Sequence, residues 1–150
     1  MTDAHLQIQN LVYRYAEFID LGDFDALGDL LGRAEVGSGD HPGSLSGAEA
    51  VTAMFTSTTR RYPDGTPRTK HVTTNLILEI DDEAGTAAGR SYFTVFQAVP
   101  ALPLQPVVAG RYHDRFEREG STWRFAERRF FLDLVGDVSQ HQRVPLPSTD

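Results

Sequence analysis

The sequence contains no cysteine, so disulfide bonds and thiol chemistry are excluded within these 150 residues. Basic residues are also in the minority: 14 lysines and arginines against 21 acidic residues give a net charge of −7. Where basic residues occur they often alternate with acids, as in 115–119. Proteins that bind nucleic acid normally carry a basic patch that faces the phosphates. The composition therefore predicts no nucleic-acid partner.

Long apolar segments are absent as well. No run approaches the roughly 18 apolar residues that cross a bilayer, so we expect no membrane partner. The opening residues, MTDAHLQIQN, lack a basic region followed by an apolar stretch, which is the pattern of a secretion signal. We therefore expect a cytoplasmic protein.

Motifs for cofactors and activated nucleophiles are also missing. The sequence has no H-E-x-x-H, no paired histidines at metal-binding spacing, no phosphate-binding P-loop and no G-x-S-x-G nucleophile elbow. We therefore expect neither a metal nor a nucleotide cofactor.

The length and the hydrophobic content are typical of one folded domain. A chain of 150 residues with 40% hydrophobic residues can bury a core but is short for two domains. We therefore predict a single domain over 1–150. The polar, proline-bearing tail at 138–150 is expected to be extended or partly disordered.

The first third of the chain has the apolar period of α-helices. Over residues 3–21, apolar side chains recur at positions i, i+3, i+4 and i+7, which predicts a helix with one buried face. Thr2 or Asp3 can cap its start and Gly22 its end, and Asp23 then begins a second, shorter helix. A third helix is predicted from about 47 to 60.

After residue 68 the apolar period changes from that of a helix to the alternation of β-strands. We predict four strands, near 69–80, 86–99, 106–118 and 122–135, joined by turn sequences such as DDEAG and EGS. Three helices followed by an antiparallel meander predict an α+β domain with the helices packed on one face of the sheet.

The segment KHVTTNLILEI, residues 70–80, divides its side chains between two faces of a strand. One face carries Val72, Thr74, Leu76, Leu78 and Ile80, and the other carries His71, Thr73, Asn75, Ile77 and Glu79. If the polar face lies in water, His71 is a surface residue. If it faces an enclosed cavity, His71 is a candidate catalyst.

Four segments, in their order along the chain, resemble one known family. They are YAEFIDLGDFDAL (15–27) in the first helix pair, HVTTN (71–75) at the start of a strand, GRYHDRFER (110–118) in the next-to-last strand and WRFAERRF (123–130) in the last. Together they resemble the SnoaL-like branch of the nuclear-transport-factor-2-like superfamily, over nearly the whole chain.

The resemblance implies a cone-shaped fold, in which a strongly bent antiparallel sheet wraps around three N-terminal helices and leaves a deep pocket. The family includes scytalone dehydratase, a dehydrochlorinase, polyketide cyclases, isomerases and modules that only bind or assemble. It implies a catalytic aspartate at the end of the first helix, here Asp20, and a catalytic histidine at the mouth of a strand, here His71. It further implies that Tyr15 and Arg128 are polar groups of the pocket.

Each candidate also has a structural interpretation. Asp20 could cap the second helix. Arg128 either binds an anionic or carbonyl oxygen or pairs with a buried acid such as Asp20. Asn75 could orient a substrate carbonyl or satisfy a backbone bond across the sheet. Tyr112 and His113 point to opposite faces, so only one can face the pocket, and Tyr112 is the candidate for substrate binding.

In dimeric members of such a family, the outer face of the sheet is covered by the partner. This arrangement would turn the polar set with His71 toward the cavity. We therefore expect a homodimer through the outer sheet face carrying Val72, Leu76, Leu78 and Ile80, because that set would otherwise form an unusually large exposed apolar patch.

An aspartate–histidine pair can transfer protons without a cofactor. The carboxylate fixes the imidazole tautomer and stabilises its protonated form, while the imidazole takes and returns the proton. We therefore hypothesise a cofactor-independent acid–base enzyme, a dehydratase, cyclase or isomerase, acting on a small, largely apolar cyclic or polyketide-like molecule. The alternative is a non-catalytic small-ligand binding or dimerisation module of the same fold. Epoxide hydrolysis would need carboxylates around a water, and the sequence shows no acidic cluster beyond Asp20.

Overall fold

The computed structural model describes residues 3–144. Three helices precede most of the strands, in the order expected. The helices are α1 (Ala4–Leu21), α2 (Phe24–Leu31) and α3 (Ala48–Thr58), and the strands are β1 (Glu35–Ser38), β2 (Ser44–Ser46), β3 (Thr69–Asp81), β4 (Thr86–Val99), β5 (Leu102–Glu119) and β6 (Thr122–Val135). The predicted helices and the four long strands are confirmed.

The first two helices form a hairpin because their ends are capped as the sequence predicts. The side chain of Asp3 accepts a hydrogen bond from the backbone N–H of His5 at the start of α1. Gly22 ends that helix in the left-handed conformation, with φ at 71° and its N–H bonded to the carbonyl of Ile19. Asp23 then accepts from the N–H of Ala26 and begins α2.

The sheet has six strands in the order β2-β1-β6-β5-β4-β3. Strands β3 to β6 form the predicted antiparallel meander. The short strands β1 and β2, which the sequence pattern does not predict, extend this meander, and the whole sheet is mixed because β1 pairs with β6 in parallel. Strands β1 and β2 have four and three residues, too few to show an alternating pattern in the sequence.

The three helices pack against the sheet, which is curved around them, and the hydrophobic core lies between the two layers. Register shifts interrupt the β4–β5 and β5–β6 pairings, and such bulges bend a sheet and increase its twist. The core members on α1 are Ile8, Val12, Tyr15 and Ile19, each at most 6% exposed. Burial of one large apolar side chain contributes about 1.5–3 kcal/mol, so this face fixes the position of α1.

Strand β3 contains a bulge that exchanges its two faces. The pairing with β4 shifts register between Thr74 and Ile77, and Asn75 has a φ of 41°, in the left-handed region that asparagine tolerates. Before the bulge, the side chains of His71 and Thr73 lie on the inner face, as predicted. After the bulge, the same inner face is occupied by Leu76, Leu78 and Ile80, which pack against the core.

Two predictions are corrected by this bulge. Asn75 is exposed and its side chain accepts a hydrogen bond from the hydroxyl of Thr74, so it does not face the cavity. Leu76, Leu78 and Ile80 do not lie on the outer face as predicted. The apolar surface of that face is therefore formed by other residues. The exposed apolar side chains that share the outer face with Val72 include Ile77, Tyr92 and Leu134, which are 45%, 58% and 70% exposed.

The chain after β6 crosses back toward the end of α3. Backbone bonds join Arg60 to His141 and Arg143 to Thr58, and a single bridge pairs Thr59 with Gln142. The predicted tail is therefore ordered and attached from 138 to 144. Its remaining part, 145–150, lies outside the described residues.

Candidate active site

A cavity of about 200 Å³ lies between the helices and the concave face of the sheet. Most of its wall is apolar. Its lining residues are Tyr15, Ile19, Met54, Phe55, Thr58, Thr59, His71, Phe93, Val95, Val108, Tyr112, Phe130, Leu132, His141, Gln142 and Val144. Among these described residues there is no aspartate, glutamate, lysine or arginine, so the cavity suits a ligand without a fixed charge.

Asp20 and His71 meet at one end of this cavity. Asp20 is next to the last residue of α1, and His71 is the third residue of β3. The Oδ1 atom of Asp20 lies 2.7 Å from Nδ1 of His71, and its Oδ2 atom accepts the backbone N–H of His71, also at 2.7 Å. The hydroxyl of Thr69 donates a third hydrogen bond to this carboxylate, at 2.9 Å.

This geometry fixes the orientation and the tautomer of the His71 ring. Since the carboxylate accepts at Nδ1, we assign the proton to Nδ1, and Nε2 is the nitrogen that can accept a proton. The side chains are 6% exposed for His71 and 11% for Asp20, so the pair is shielded from water. His71 lines the cavity, and Asp20 supports it from behind.

Arg128 lies behind the cavity wall and not in the wall itself. Its guanidinium makes two hydrogen bonds to Asp114, at 2.8 and 2.9 Å, and both side chains are fully buried. The sequence left two roles open for Arg128, the binding of a ligand oxygen and a buried ion pair. The structure shows the ion pair, and its acid is Asp114 and not Asp20. The prediction that it contacts a ligand is corrected, because Arg128 does not line the cavity. Its Nε and Nη2 atoms bind Asp114, and its Nη1 atom is buried without a hydrogen-bond partner among the described residues.

Tyr15 and Tyr112 separate this ion pair from the cavity, which both tyrosines line. The guanidinium carbon of Arg128 lies 3.8 Å from the ring centre of Tyr112 and 4.3 Å from that of Tyr15, within the range of a cation–π interaction. Burial raises the pKa of both phenols, and for Tyr112 a further rise comes from Tyr15. Both phenols are therefore neutral at physiological pH and keep their O–H protons.

His141 is a cavity residue that sequence reasoning does not identify. It lies in the polar tail, where no apolar period indicates burial, yet its side chain is only 3% exposed. Its ring centre is 6.0 Å from that of His71, and its Nδ1 atom is buried without a hydrogen-bond partner. Burial, followed by the positive charge that His71 can carry, lowers the pKa of His141 to about 4, against a smaller opposing effect of Asp20.

We expect acid to destabilise the protein through His141. Its pKa is about 4 in the folded state and 6.5 ordinarily, so the unfolded chain binds a proton first as the pH falls. The stability is complete above about pH 6.5 and declines by up to about 3 kcal/mol between pH 6.5 and 4. Urea unfolding should therefore show that His141→Gln loses less stability than the wild type across this interval. Equal losses in the two proteins would contradict this assignment.

Residues 3–144 contain neither a metal-binding cluster nor a membrane-spanning helix. No three histidine, aspartate or glutamate side chains in that range are grouped so that they could hold a metal ion. No helix in the same range is long and apolar enough to cross a membrane. The cytoplasmic location stays a prediction from the sequence.

Three helices inside a curved mixed sheet, with a pocket between them, define the nuclear-transport-factor-2-like α+β cone. Within that class, the chain belongs to the SnoaL-like domain family, whose sequence model matches residues 1–129. The family and the fold expected from the four sequence segments are confirmed. No curated protein matches the sequence.

Several solved structures share the fold. A Novosphingobium aromaticivorans protein provisionally named scytalone dehydratase is 18% identical, with a TM-score of 0.67 over 89% of this chain and 86% of its own. LinA is 19% identical, with a TM-score of 0.69 over 95% of both chains. ActVI-ORFA from Streptomyces coelicolor is 13% identical, with a TM-score of 0.68 over 88% of this chain and 98% of its own. Identities this low establish the fold alone.

Proposed function

We propose that this protein is a cofactor-independent acid–base enzyme that eliminates water from a small, neutral cyclic hydroxyketone. The observation that carries the proposal is the 2.7 Å contact between Asp20 and His71, with His71 in the wall of an apolar cavity. A histidine held in one tautomer by a buried carboxylate is suited to act as a general base. The name scytalone dehydratase carried by one structural neighbour supports elimination over other proton transfers.

The proposed step uses only side chains of the site. Nε2 of His71 removes the hydrogen from the carbon next to the ketone. The electron pair of that C–H bond forms a C=C bond while the C–O bond of the β-hydroxyl breaks. The departing hydroxide takes the proton back from His71, which yields water and a conjugated ketone. Asp20 stabilises the transient imidazolium, and Tyr15 and Tyr112 offer donors to the substrate oxygens.

The size of the cavity favours a single substituted ring. Its volume of about 200 Å³ is below the roughly 300–1,000 Å³ of pockets for drug-sized ligands. It exceeds the roughly 150 Å³ of a cavity that accepts benzene. Within the wider class of apolar cyclic or polyketide-like molecules, we therefore propose substrates with one ring, one ketone and one hydroxyl.

The test uses β-hydroxycyclohexanone, whose dehydration gives a conjugated cyclohexenone that is followed by ultraviolet absorbance. We expect the wild type to accelerate this reaction and His71→Gln to lose the acceleration while keeping its fold. His113→Gln is the matched control, because His113 is an exposed histidine on the outer face of β5. Equal rates for all three proteins and for buffer would reject the proposed function.

The non-catalytic binding module remains the alternative hypothesis, and the same assay separates the two. A protein that binds cyclohexenone without accelerating its formation would support the module.

We further propose that the chain forms a homodimer through the outer sheet face. The exposed side chains of Val72, Tyr92 and Leu134 lie on that face and support the proposal, which light scattering tests directly.

A further inference from the structure

The position of His141 in the cavity is fixed by the backbone around it. The N–H of Arg60 donates to the carbonyl of His141 at 2.9 Å, and the N–H of Arg143 donates to the carbonyl of Thr58 at 2.7 Å. Nε2 of Gln97, itself fully buried, donates to the carbonyl of Gln140 at 3.0 Å. The imidazole is therefore held in the cavity wall by bonds on both sides of it, none of which uses the ring.

The ring itself is incompletely bonded. Its Nδ1 atom is buried and has no partner, whereas the great majority of buried side-chain nitrogens are hydrogen-bonded. The ring lies beside an apolar cavity large enough for a small molecule. Neither ring nitrogen of His141 is hydrogen-bonded to a described residue, so a polar group on a ligand in the cavity would give the ring its first partner.

The charge state of His141 limits what it can do. Because burial and the neighbouring His71 keep the pKa of His141 near 4, the ring is neutral at physiological pH. A neutral imidazole has one N–H donor and is a poor proton source. It is therefore suited to donating a hydrogen bond to an uncharged oxygen, and unsuited to protonating a leaving group.

We propose that His141 is the substrate-recognition residue of the cavity, and that it donates a hydrogen bond to the carbonyl oxygen of a neutral cyclic ketone. In the substrate, the ketone oxygen is only a few bonds from the hydrogen on the adjacent carbon. The side chain that binds the oxygen and the side chain that removes the hydrogen must therefore be neighbours in the cavity. His71 and His141 are such neighbours, with 6.0 Å between ring centres. The carbonyl role of His141 deepens the proposed function, but the binding of a ketone does not require that His71 be catalytic.

The experiment compares two probes that differ in one oxygen. Cyclohexenone carries the ketone, and cyclohexene is the same ring without it. The dissociation constants of both are measured for the wild type and for His141→Leu, with the folded state of each checked by circular dichroism. The ratio of the two constants reports recognition of the oxygen, and the cyclohexene value alone reports whether the cavity is intact.

We expect the wild type to bind cyclohexenone more tightly than cyclohexene. In His141→Leu the ratio of the two dissociation constants should change by about three- to tenfold toward equal binding, the effect of losing one neutral hydrogen bond. The affinity for cyclohexene should be unchanged. His141→Gln keeps an N–H donor and should retain part of the preference, which a packing role alone would not produce. An unchanged ketone preference in His141→Leu would overturn the proposal.

The same proteins separate this inference from the proposed enzyme activity. If His141→Leu loses the ketone preference while the wild type fails to dehydrate β-hydroxycyclohexanone, the recognition role stands and the proposed elimination is rejected. If the wild type dehydrates the probe and His141→Leu does so with an unchanged Michaelis constant and unchanged ketone preference, the recognition role is rejected and the enzyme stands.

Discussion

Replacement of Arg128 with methionine is expected to lower the free energy of unfolding by about 3–5 kcal/mol. The side chains of Arg128 and Asp114 are fully buried and joined by two hydrogen bonds, so the substitution leaves an unpaired carboxylate in the core. It also removes the guanidinium that stacks on Tyr15 and Tyr112. Urea denaturation monitored by circular dichroism measures the loss.

Two further variants identify the cause of that loss. Replacing both partners, as Arg128→Met with Asp114→Leu, should restore much of the stability, because no unpaired charge then remains in the core. Arg115→Met is the control, since Arg115 pairs with Glu127 at 3.4 Å while 59% exposed, and such a pair contributes about 0–1 kcal/mol. A loss for Arg128→Met no larger than that of the control would show that the ion pair does not stabilise the fold.

Replacement of Asp20 with asparagine is expected to slow the dehydration of β-hydroxycyclohexanone by about a hundred- to ten-thousandfold, the range of general acid–base catalysis. The neutral amide cannot stabilise the His71 imidazolium, and it can present an N–H to Nδ1 and thereby favour the wrong tautomer. Turnover rates of Asp20→Asn and His71→Gln, each compared with the wild type, measure the effect.

The double variant distinguishes a functional pair from two separate residues. Because Asp20 acts through His71, Asp20→Asn combined with His71→Gln should be no slower than His71→Gln alone. Multiplied losses would mean that Asp20 has a role of its own. Turnover of Asp20→Asn within a few-fold of the wild type would contradict the role of the carboxylate altogether.

Local patterns in the sequence were sufficient to predict the helices and the long strands. The apolar stripe of α1 and the Gly22–Asp23 pair determine the helix hairpin through residues close in sequence. The strand boundaries follow from alternation and turn residues. The proximity of Asp20 and His71 was predicted through the family resemblance, because no local rule connects residues that far apart in the chain.

The features that sequence reasoning missed depend on contacts between distant residues. The bulge at Asn75 has no distinctive local sequence. A prediction from strict alternation of side chains therefore places Leu76 on the wrong face of β3. The partner of Arg128 is Asp114 on the neighbouring strand, which is specified by the β5–β6 register and not by either residue alone. The burial of His141 results from bonds to α3 and the residues after it, while its own surroundings in the sequence are polar.

In the segment 140–144, the backbone and the side chains have separate roles. The backbone attaches the segment to the fold, and the side chains line the pocket. Main-chain groups of 140–143 make the bonds that close this side of the pocket, and a change of side chain leaves them in place. Three residues of this segment, His141, Gln142 and Val144, line the cavity, and the ring of His141 lies beside that of His71. With the recognition role proposed for His141, a substitution at this position changes which molecules the pocket accepts while the main-chain bonds that enclose it stay in place, which makes position 141 a first target for redesign of selectivity.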